Sequence, residues 1–356
     1  MSGTSLDGID AALVEFADDG QVRLRGTHYQ PYVQSLKDTL LALHHPSHDE
    51  LHLAQMTNNQ LARLYAEAVS DLLRVSNVSP HQVRAIGCHG QTVRHRPEQG
   101  YTIQLGNAAL LAELAGVATI SDFRSRDIAA GGQGAPLVPA FHDRVLRHPN
   151  VHRVIVNIGG ISNLTNLPPG EPATGFDCGP GNLLMDAWIS RHLGKAYDER
   201  GEWAASGRAI PLLLQDLLAE PYFAAAPPKS SGRDLFNMHW LEQRLKGGEA
   251  PADVQATLLA LTGSCIADSI VRFCHGAEEI YLCGGGAHNH ALLECLRNSL
   301  PQCRIGLTDD LGIDADWMEA VAFAWLARQA LHGEDANLPA VTGARHSCVL
   351  GAIYQA

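Results

Sequence analysis

Three glycine-rich turns constrain this chain most, because each directly adjoins a segment that predicts a β-strand. They lie at 3–10 (G-T-S-L-D-G-I-D), 157–164 (N-I-G-G-I-S-N-L) and 283–287 (C-G-G-G-A). Small residues let the backbone approach a phosphate closely, and their N–H groups supply the donors. A single turn of this kind often serves close packing alone. Three in this order, two between strands and the last between a strand and a helix, predict a nucleotide-phosphate site.

The rest of the chain predicts alternating strands and helices. We expect a strand over 9–16, a second strand over 22–29 paired to it, and an amphipathic helix over 51–75. The apolar, β-branched run at 151–158 is typical of a buried strand. Because both halves mix the two element types, the predicted class is α/β, with helices packed on mostly parallel sheets. A break near 147–150 predicts two domains, 1–148 and 149–356.

Composition narrows the class of protein further. The chain has 356 residues, 46% hydrophobic and 18% charged, and a formal net charge of −12, which argues against a nucleic-acid partner. No apolar run predicts a membrane span, and no leader pattern predicts secretion. The eight cysteines form no C-x-x-C pair, and the 18 histidines form no H-E-x-x-H motif. We therefore expect a cytoplasmic protein with reduced thiols.

The two best-known nucleotide motifs are absent. The only Gly-Lys pair, Gly194-Lys195, is followed by Ala196, so there is no G-x-x-x-x-G-K-[ST] loop. The glycines at 284–286 come too late for a Rossmann fingerprint and lack a third glycine at the required spacing. Any nucleotide site therefore belongs to another class.

Asp177 is the candidate catalytic base. It lies in G-F-D-C-G-P-G-N (175–182), where three glycines and a proline predict a turn that aims its carboxylate. The alternative is an Asx-turn, in which the carboxylate bonds only its own local backbone. The residues by themselves leave both interpretations open.

Over nearly its whole length the chain resembles the anhydro-N-acetylmuramic acid kinase family. The segments that carry this resemblance are long, distinctive and in the same order. They are M-S-G-T-S-L-D-G-I-D (1–10), C-H-G-Q-T (88–92), Q-L-G-N (104–107), D-F-R-S-R-D-I-A-A-G-G-Q-G-A-P-L-V-P-A-F-H (122–142), V-N-I-G-G-I-S-N-L (156–164), G-F-D-C-G-P-G-N (175–182), P-K-S-S-G-R-D-L-F-N (228–237), C-G-G-G-A-H-N (283–289) and W-M-E-A-V-A-F-A-W-L-A (317–327).

The resemblance implies a fold and a reaction. The fold is the two-domain actin-like ATPase (ribonuclease H-like) fold, with the active site in the interdomain cleft. The reaction uses ATP, Mg²⁺ and water to convert 1,6-anhydro-N-acetylmuramic acid into N-acetylmuramic acid 6-phosphate, in cell-wall recycling. A homodimer that acts on this small molecule, without nucleic acid or membrane, is expected.

The resemblance also implies roles for individual residues. Asp177 matches the catalytic aspartate and would activate the water. The ATP site would comprise Gly3, Thr4, Ser5, Leu6, Asp7, Gly8, Ile9, Asp10, Gly159, Gly160, Gly284, Gly285 and Gly286. Asp7 and Asp10 would hold Mg²⁺ through water. The sugar would contact His89, Gln91, Thr92, Arg126 and Glu319.

Several of these roles have structural alternatives. Asp10 could face solvent from a strand, and Arg126 could form a salt bridge to Asp122 or Asp127 instead of binding the lactyl carboxylate or the γ-phosphate. Lys229 could approach a nucleotide phosphate.

Two other functions and one departure from the family also follow from the sequence. The chain could be a kinase of another amino sugar, or a non-catalytic nucleotide-binding regulatory protein that would not need Asp177. The family has a strand before the first glycine turn, whereas this sequence begins within that turn at Met1. We therefore expect a first domain whose first strand is truncated, or a start placed too late.

Overall fold

The computed structural model describes residues 1–2, 6–17 and 21–356, and it divides the chain into two compact units. Unit 1 comprises Met1–Val145 and Trp317–Ala356, and unit 2 comprises Leu146–Asp316. Both units mix helices with strands. The α/β class is therefore confirmed, whereas most strand pairs in the described residues are antiparallel, which differs from the mostly parallel sheets expected.

The elements follow one another in three stretches. Residues 1–145 contain β1 (Gly8–Phe16), β2 (Val22–Pro31), α1 (Gln34–Ala42), α2 (Glu50–Val75), β3 (Ile86–Gly87), β4 (Gln91–Arg96), β5 (Tyr101–Leu105), α3 (Ala108–Ala115), β6 (Thr119–Ser121), α4 (Ser125–Ala129) and α5 (Val138–Val145). Residues 146–316 contain β7 (Arg153–Ile158), β8 (Ile161–Leu167), β9 (Thr174–Pro180), α6 (Leu183–Leu193), α7 (Glu202–Ser206), α8 (Pro211–Leu218), α9 (Pro221–Ala224), α10 (Met238–Glu242), α11 (Pro251–Phe273), β10 (Glu279–Cys283), α12 (His290–Ser299) and β11 (Arg304–Leu307). Residues 317–356 contain α13 (Met318–His332), α14 (Pro339–Thr342) and β12 (Ala352–Tyr354).

Unit 2 is built on a five-stranded sheet in the order β11-β10-β7-β8-β9. β7, β10 and β11 are parallel to one another, and β8 and β9 continue the sheet as an antiparallel meander. Val154, Ile155 and Val156 of β7 are fully buried, as the apolar run predicted. A central strand of this kind has neighbours on both edges and both faces, which favours a continuous apolar sequence.

Helix α11 is the main core helix of unit 2. It is long and apolar enough to cross a membrane by length and composition, but most of its apolar stretch is buried inside the unit. It packs against α6, α7, α8, α12 and β9. Its polar residues interrupt the apolar sequence, so a search for an unbroken apolar run does not find it.

The described residues of unit 1 form three small sheets: the hairpin β1-β2, the sheet β12-β6-β3, and the hairpin β4-β5. The antiparallel pairing of β1 with β2 and the position of α2 confirm the elements predicted for this region. Leu61, Ala62, Tyr65 and Ala68 of α2 are buried in the core of the unit, which is the helical stripe read from the sequence.

The C-terminal segment belongs to unit 1, which differs from the predicted second domain of 149–356. β12 pairs antiparallel with β6, and α13 packs against β3. The approach at β3 is close, since a Cβ on Gly87 would lie 2.3 Å from the carbonyl oxygen of Phe323. Such a return of the chain to an earlier sheet leaves no local signal, so a boundary drawn from composition misses it.

Unit 1 encloses a cavity of about 740 Å³ between β1, α2, β3 and α13. In the described part of the chain, β1 pairs only with β2, and β3 pairs only with β6, so the cavity lies between two strand edges. Met1 and Asp10 exchange two backbone hydrogen bonds at one end, of 2.6 and 2.8 Å. The lining is mostly apolar and includes Asp10 and His89.

Asp127 ties the C-terminal segment to the rest of unit 1. It is fully buried and accepts hydrogen bonds of 2.7 Å from the Gly134 N–H, the Asn337 amide and the Thr342 hydroxyl. A buried carboxylate needs this number of donors to offset its loss of hydration. Asp127 therefore stabilises the fold, and it is not engaged by Arg126.

We expect Asp127→Ala to lower the free energy of unfolding by about 3 kcal/mol or more, because three donors lose their acceptor. The exposed Asp335 in the same segment offers a matched control, and Asp335→Ala should change stability by less than about 0.5 kcal/mol. Urea unfolding of both variants measures the difference. Equal stabilities of the two variants would contradict this role for Asp127.

Candidate active site

The structure places Asp177 within strand β9, at the edge of the unit 2 sheet, and not in the turn that its sequence predicts. The register shifts between Ser162 and Asn163, so that Asn163 lies opposite Asp177 while Ser162 lies opposite Gly179. Cys178 is thus the extra residue of a β-bulge, a feature that re-aims neighbouring side chains. Most of this segment therefore forms a bulged edge strand.

Three contacts hold Asp177 from a later part of the chain. Its N–H donates to the carbonyl of Lys229 at 3.2 Å, and its carbonyl accepts the hydroxyl of Tyr222 at 2.7 Å. Its carboxylate oxygen Oδ2 accepts the N–H of Ser231 at 2.9 Å. The carboxylate therefore accepts a hydrogen bond from backbone far along the chain. In the Asx-turn alternative it would bond its own local backbone instead.

Burial raises the pKa of Asp177 to about 6, and the hydrogen bond from Ser231 and the charge of Lys229 lower it in part. The ordinary pKa of an aspartate is near 3.9. A carboxylate in this range is ionised at neutral pH and still basic enough to accept a proton from water. The site therefore fits a general base.

Two of the predicted glycine turns lie side by side in unit 2. Gly159 and Gly160 follow β7, and Gly284–Gly286 follow β10, its parallel neighbour, with Asn157 paired to Cys283. The carboxyl ends of adjacent parallel strands share one edge of a sheet, which is where α/β proteins bind ligands. The structure thus brings these two turns together.

The glycines in these turns have different neighbours. Gly284 has a positive φ of 78°, and a Cβ there would lie 2.3 Å from the Asn157 amide oxygen. A Cβ on Gly286 would lie 2.2 Å from the Ile158 methyl carbon Cγ2, so it must be glycine for packing. Gly285 is exposed, with nothing within 4 Å of its Cβ position. Gly285 therefore has open space in front of it, as a nucleotide site requires.

A row of polar side chains links these turns to Asp177. Pairing places Asn157 of β7 opposite Asn163 of β8, and Asn163 opposite Asp177 of β9, so all three share one face. Two strand spacings separate Asn157 from Asp177, roughly 10 Å. All three are partly exposed. Sequence reasoning missed Asn157 and Asn163, although polar residues inside an apolar β-run were a signal.

Part of the first glycine turn lies outside the described residues, namely Gly3, Thr4 and Ser5. Leu6 and Ile9 are buried in the core of unit 1, so they can serve a nucleotide only through their backbone. A Cβ on Gly8 would lie 2.4 Å from the carbonyl oxygen of Gln30. The described part of the turn is therefore packed closely against β2.

The two predicted magnesium residues, Asp7 and Asp10, both influence the pKa of Tyr29 through their charges. Burial raises the pKa of Tyr29, and the charges of Asp7 and then Asp10 raise it further. Within residues 1–2, 6–17 and 21–356 no group of three or more metal-ligating side chains occurs. Two carboxylates suit an ion that keeps most of its water and binds phosphate, and they do not form an all-protein cage.

Unit 1 also contains a compact charged cluster around His89. The His89 ring lies 4.7 Å from the Phe323 ring, and its Nδ1 contacts the carbonyl oxygen of Ser2 at 3.2 Å. Burial, and then the charge of Arg124, hold the pKa of His89 well below its ordinary value. The ring is therefore neutral at physiological pH, and its Nε2 accepts hydrogen bonds from Arg124.

Arg124 was missed by the sequence analysis, which singled out Arg126. Its guanidinium donates to His89 Nε2 at 2.9 and 3.1 Å and to the Gly134 carbonyl at 2.7 Å. Burial lowers the pKa of Arg124 to about 10, while the charges of Glu319 and Asp127 raise it. Arg124 stays cationic at neutral pH and faces the predicted sugar residues His89 and Glu319.

The other predicted sugar residues lie in different surroundings. Gln91 is buried in β4, and Thr92 accepts the Gln104 amide at 3.2 Å. Burial raises the pKa of Glu319, and Arg124 opposes that rise. Arg126 is exposed on α4, and in the described part of the chain it forms no ion pair with Asp122 or Asp127. The structure thus groups His89 and Glu319 with Arg124 and leaves Arg126 apart.

Comparisons with known proteins agree on one family. The family described as "Anhydro-N-acetylmuramic acid kinase" matches residues 1–356. Proteins of that name from Thiobacillus denitrificans and Nitrosospira multiformis are each 60% identical to the whole chain, over 96% and 98% of their own lengths.

Among solved structures, component A of (R)-2-hydroxyglutaryl-CoA dehydratase from Acidaminococcus fermentans is 13% identical, with a TM-score of 0.45 over 88% of this chain and 95% of that one. That structural likeness is too weak to define the fold, whereas the sequence matches are decisive. The chain belongs to the anhydro-N-acetylmuramic acid kinase family.

Proposed function

We propose that this protein is an ATP-dependent kinase that converts 1,6-anhydro-N-acetylmuramic acid and water into N-acetylmuramic acid 6-phosphate, in cell-wall recycling. Membership of the family supports this function. The observation that carries it is Asp177, whose pKa is raised to about 6 and which shares a polar row with Asn157, the residue paired with Cys283 just before the glycine turn. A non-catalytic nucleotide-binding protein would have no use for such a base.

The proposed chemistry assigns one role to Asp177. Its carboxylate accepts a proton from the water that attacks the anomeric carbon, and the bond between that carbon and O6 breaks. As O6 leaves the anomeric carbon it would bond the γ-phosphorus of ATP, and ADP would be released. Because phosphorus captures this oxygen, the site needs no second carboxylic acid, in contrast to a glycosidase. A kinase of an intact amino sugar would not consume water, which separates the two reactions.

The remaining groups bind and orient. Gly159, Gly160 and Gly284–Gly286 would accept the nucleotide, together with the turn at 3–10. Asp7 and Asp10 would hold Mg²⁺ through water, a donor set that fits a hydrated ion.

For the sugar, we propose that Arg124 binds the lactyl carboxylate and that His89, Gln91, Thr92 and Glu319 line its site. Arg126 remains a sequence-based candidate.

The setting of the reaction is also a proposal. We place it in the cytoplasm, where ATP is available and where the eight free cysteines of this chain would stay reduced. The partner is the small-molecule sugar. A homodimer is proposed from the family, and the net charge of −12 argues against nucleic acid.

Asp177→Asn should lower turnover by at least about 10²–10⁴-fold, because the amide keeps the shape of the site and cannot accept the proton. Binding of ATP and of the anhydro-sugar should persist in calorimetry. In the wild type, ¹⁸O-labelled water should label the anomeric position of the product. Label in the phosphate would show ATP hydrolysis instead, and near-normal turnover of the Asn variant would remove Asp177 from the mechanism.

Arg124→Ala should reduce kcat/KM for the anhydro-sugar by about 10²-fold, since a charge-assisted contact to a carboxylate is lost. Arg126→Ala serves as the matched control, because Arg126 lies two residues further along, in the first turn of α4. Steady-state kinetics, with thermal melting to check the fold, distinguish the two arginines. A loss confined to Arg126→Ala would return the carboxylate contact to Arg126, as first predicted.

Gly285→Ala should leave the free energy of unfolding within about 0.5 kcal/mol of the wild type and weaken ATP binding about tenfold or more, because its methyl group enters open space. Gly286→Ala should instead destabilise the fold by about 1–3 kcal/mol through its clash with Ile158. Chemical unfolding and nucleotide titration separate the two effects. Unchanged ATP affinity in Gly285→Ala would place the nucleotide elsewhere.

A further inference from the structure

The segment 222–231, called the strap below, runs along the free edge of β9. In addition to the pairing with β8, it supplies three contacts to Asp177, through the Tyr222 hydroxyl, the Lys229 carbonyl and the Ser231 N–H. Two of these contacts engage the backbone of Asp177, and the third engages its carboxylate. The position of this carboxylate therefore depends on the conformation of the strap.

Lys229 folds back onto the strap. Its ammonium group lies within 3.3 and 3.4 Å of the carbonyl oxygens of Tyr222 and Phe223, to which it donates. It also lies 4.8 Å from the centre of the Tyr222 ring, and 5.9 and 6.0 Å from those of Phe176 and Phe273. An ammonium over aromatic faces is held by the ring electrons. Lys229 thus closes the strap, and it is not extended toward a phosphate as the sequence suggested.

The other titratable groups near Lys229 and Asp177 change their charge little near neutral pH. Burial raises the pKa of the Cys178 thiol to about 12, and it also raises the pKa values of Cys265 and Tyr222. Arg272 donates to the Phe223 carbonyl at 3.0 Å and pairs with Asp268 at 3.0 Å, so its charge has a partner. The charge of Lys229 lowers the pKa of Asp177, and burial lowers the pKa of Lys229 itself.

We propose that Lys229 is the positioning residue for the Asp177 base: its ammonium closes the strap that holds Asp177, and it is the one cationic side chain of that strap. This inference rests on the proposed function of Asp177. It adds a residue that touches neither sugar nor nucleotide and that acts through the group it holds.

The sign of the expected effect follows from charge. A neighbouring cation favours the ionised carboxylate, so it lowers the pKa of Asp177 against the larger upward effect of burial. Removal of the cation leaves the Ser231 hydrogen bond as the remaining effect that opposes burial, so the pKa of Asp177 rises. A base must be ionised to act, so the acidic limb of kcat/KM, near pH 6 in the wild type, moves to higher pH.

The test compares Lys229→Met with Lys246→Met, which removes an exposed lysine from the same unit. The carboxyl carbon of Asp177 is titrated by NMR in ¹³C-aspartate-labelled protein, and Asp177→Asn assigns its signal. Lys229→Met should raise this pKa by about 0.5–1 unit. Lys246→Met should leave it unchanged. The acidic limb of kcat/KM should move by the same amount in the same variant.

Two further variants separate charge from packing. Lys229→Arg keeps the cation and should restore the wild-type titration. Lys229→Gln keeps donors for the two carbonyls without the charge, so it should reproduce the shift even where Lys229→Met does not fold. Tyr222→Phe, which loses the hydroxyl contact to the Asp177 carbonyl and keeps the ring, should lower kcat without moving the limb.

The outcomes are distinct. A wild-type titration of Asp177 in both Lys229→Met and Lys229→Gln overturns the role of Lys229. A shifted titration without any turnover of the anhydro-sugar by the wild-type enzyme supports the electrostatic role and overturns the proposed reaction instead. A shift that Lys246→Met shares equally would reflect net charge alone and would also overturn the inference.

Discussion

The parallel pairing of β7 with β10 is the constraint on which the candidate site depends. Asn157 pairs with Cys283, so β7 and β10 end next to each other at the same edge of the sheet. The two glycine turns that follow these strands are therefore neighbours. β8 and β9 continue the sheet from β7, and their pairing places Asp177 of β9 opposite Asn163 of β8. A shift of one residue in this register would turn the polar row to the other face of the sheet. The site is therefore a consequence of strand register.

Burial and charge are balanced differently in the two units. In unit 2, desolvation raises the pKa of Asp177, and the few favourable contacts leave it near 6. In unit 1, the partly buried Arg124 has His89 and Gly134 as acceptors, with the charge of Glu319 nearby. Asp127, with three donors, is satisfied completely. Asp127 is thus suited to stabilise the fold, whereas Asp177 keeps the incomplete solvation that makes a carboxylate basic.

The surroundings of individual charged side chains were harder to predict from the sequence than the positions of the motifs. Arg124 and Arg126 occupy the same matching block, and only the backbone of α4 determines that one faces His89 while the other is exposed. The contacts of Lys229 could not be predicted from its sequence position either, since its ammonium contacts carbonyls of its own segment. Long side chains can reach many partners from one backbone position, so their sequence position constrains them weakly.

The sequence by itself determined the α/β class, the paired strands β1 and β2, the helix α2, the buried strand β7 and the family, because periodicity and long ordered motifs are local properties. It also identified Asp177 and the glycines after β7 and β10. Only the tertiary structure decided that Asp177 lies in a bulged edge strand, that Trp317–Ala356 joins unit 1, and that Asn157, Asn163 and Arg124 line the candidate sites. These features arise from pairing and packing between residues far apart in the chain, for which neither spacing nor propensity carries a signal.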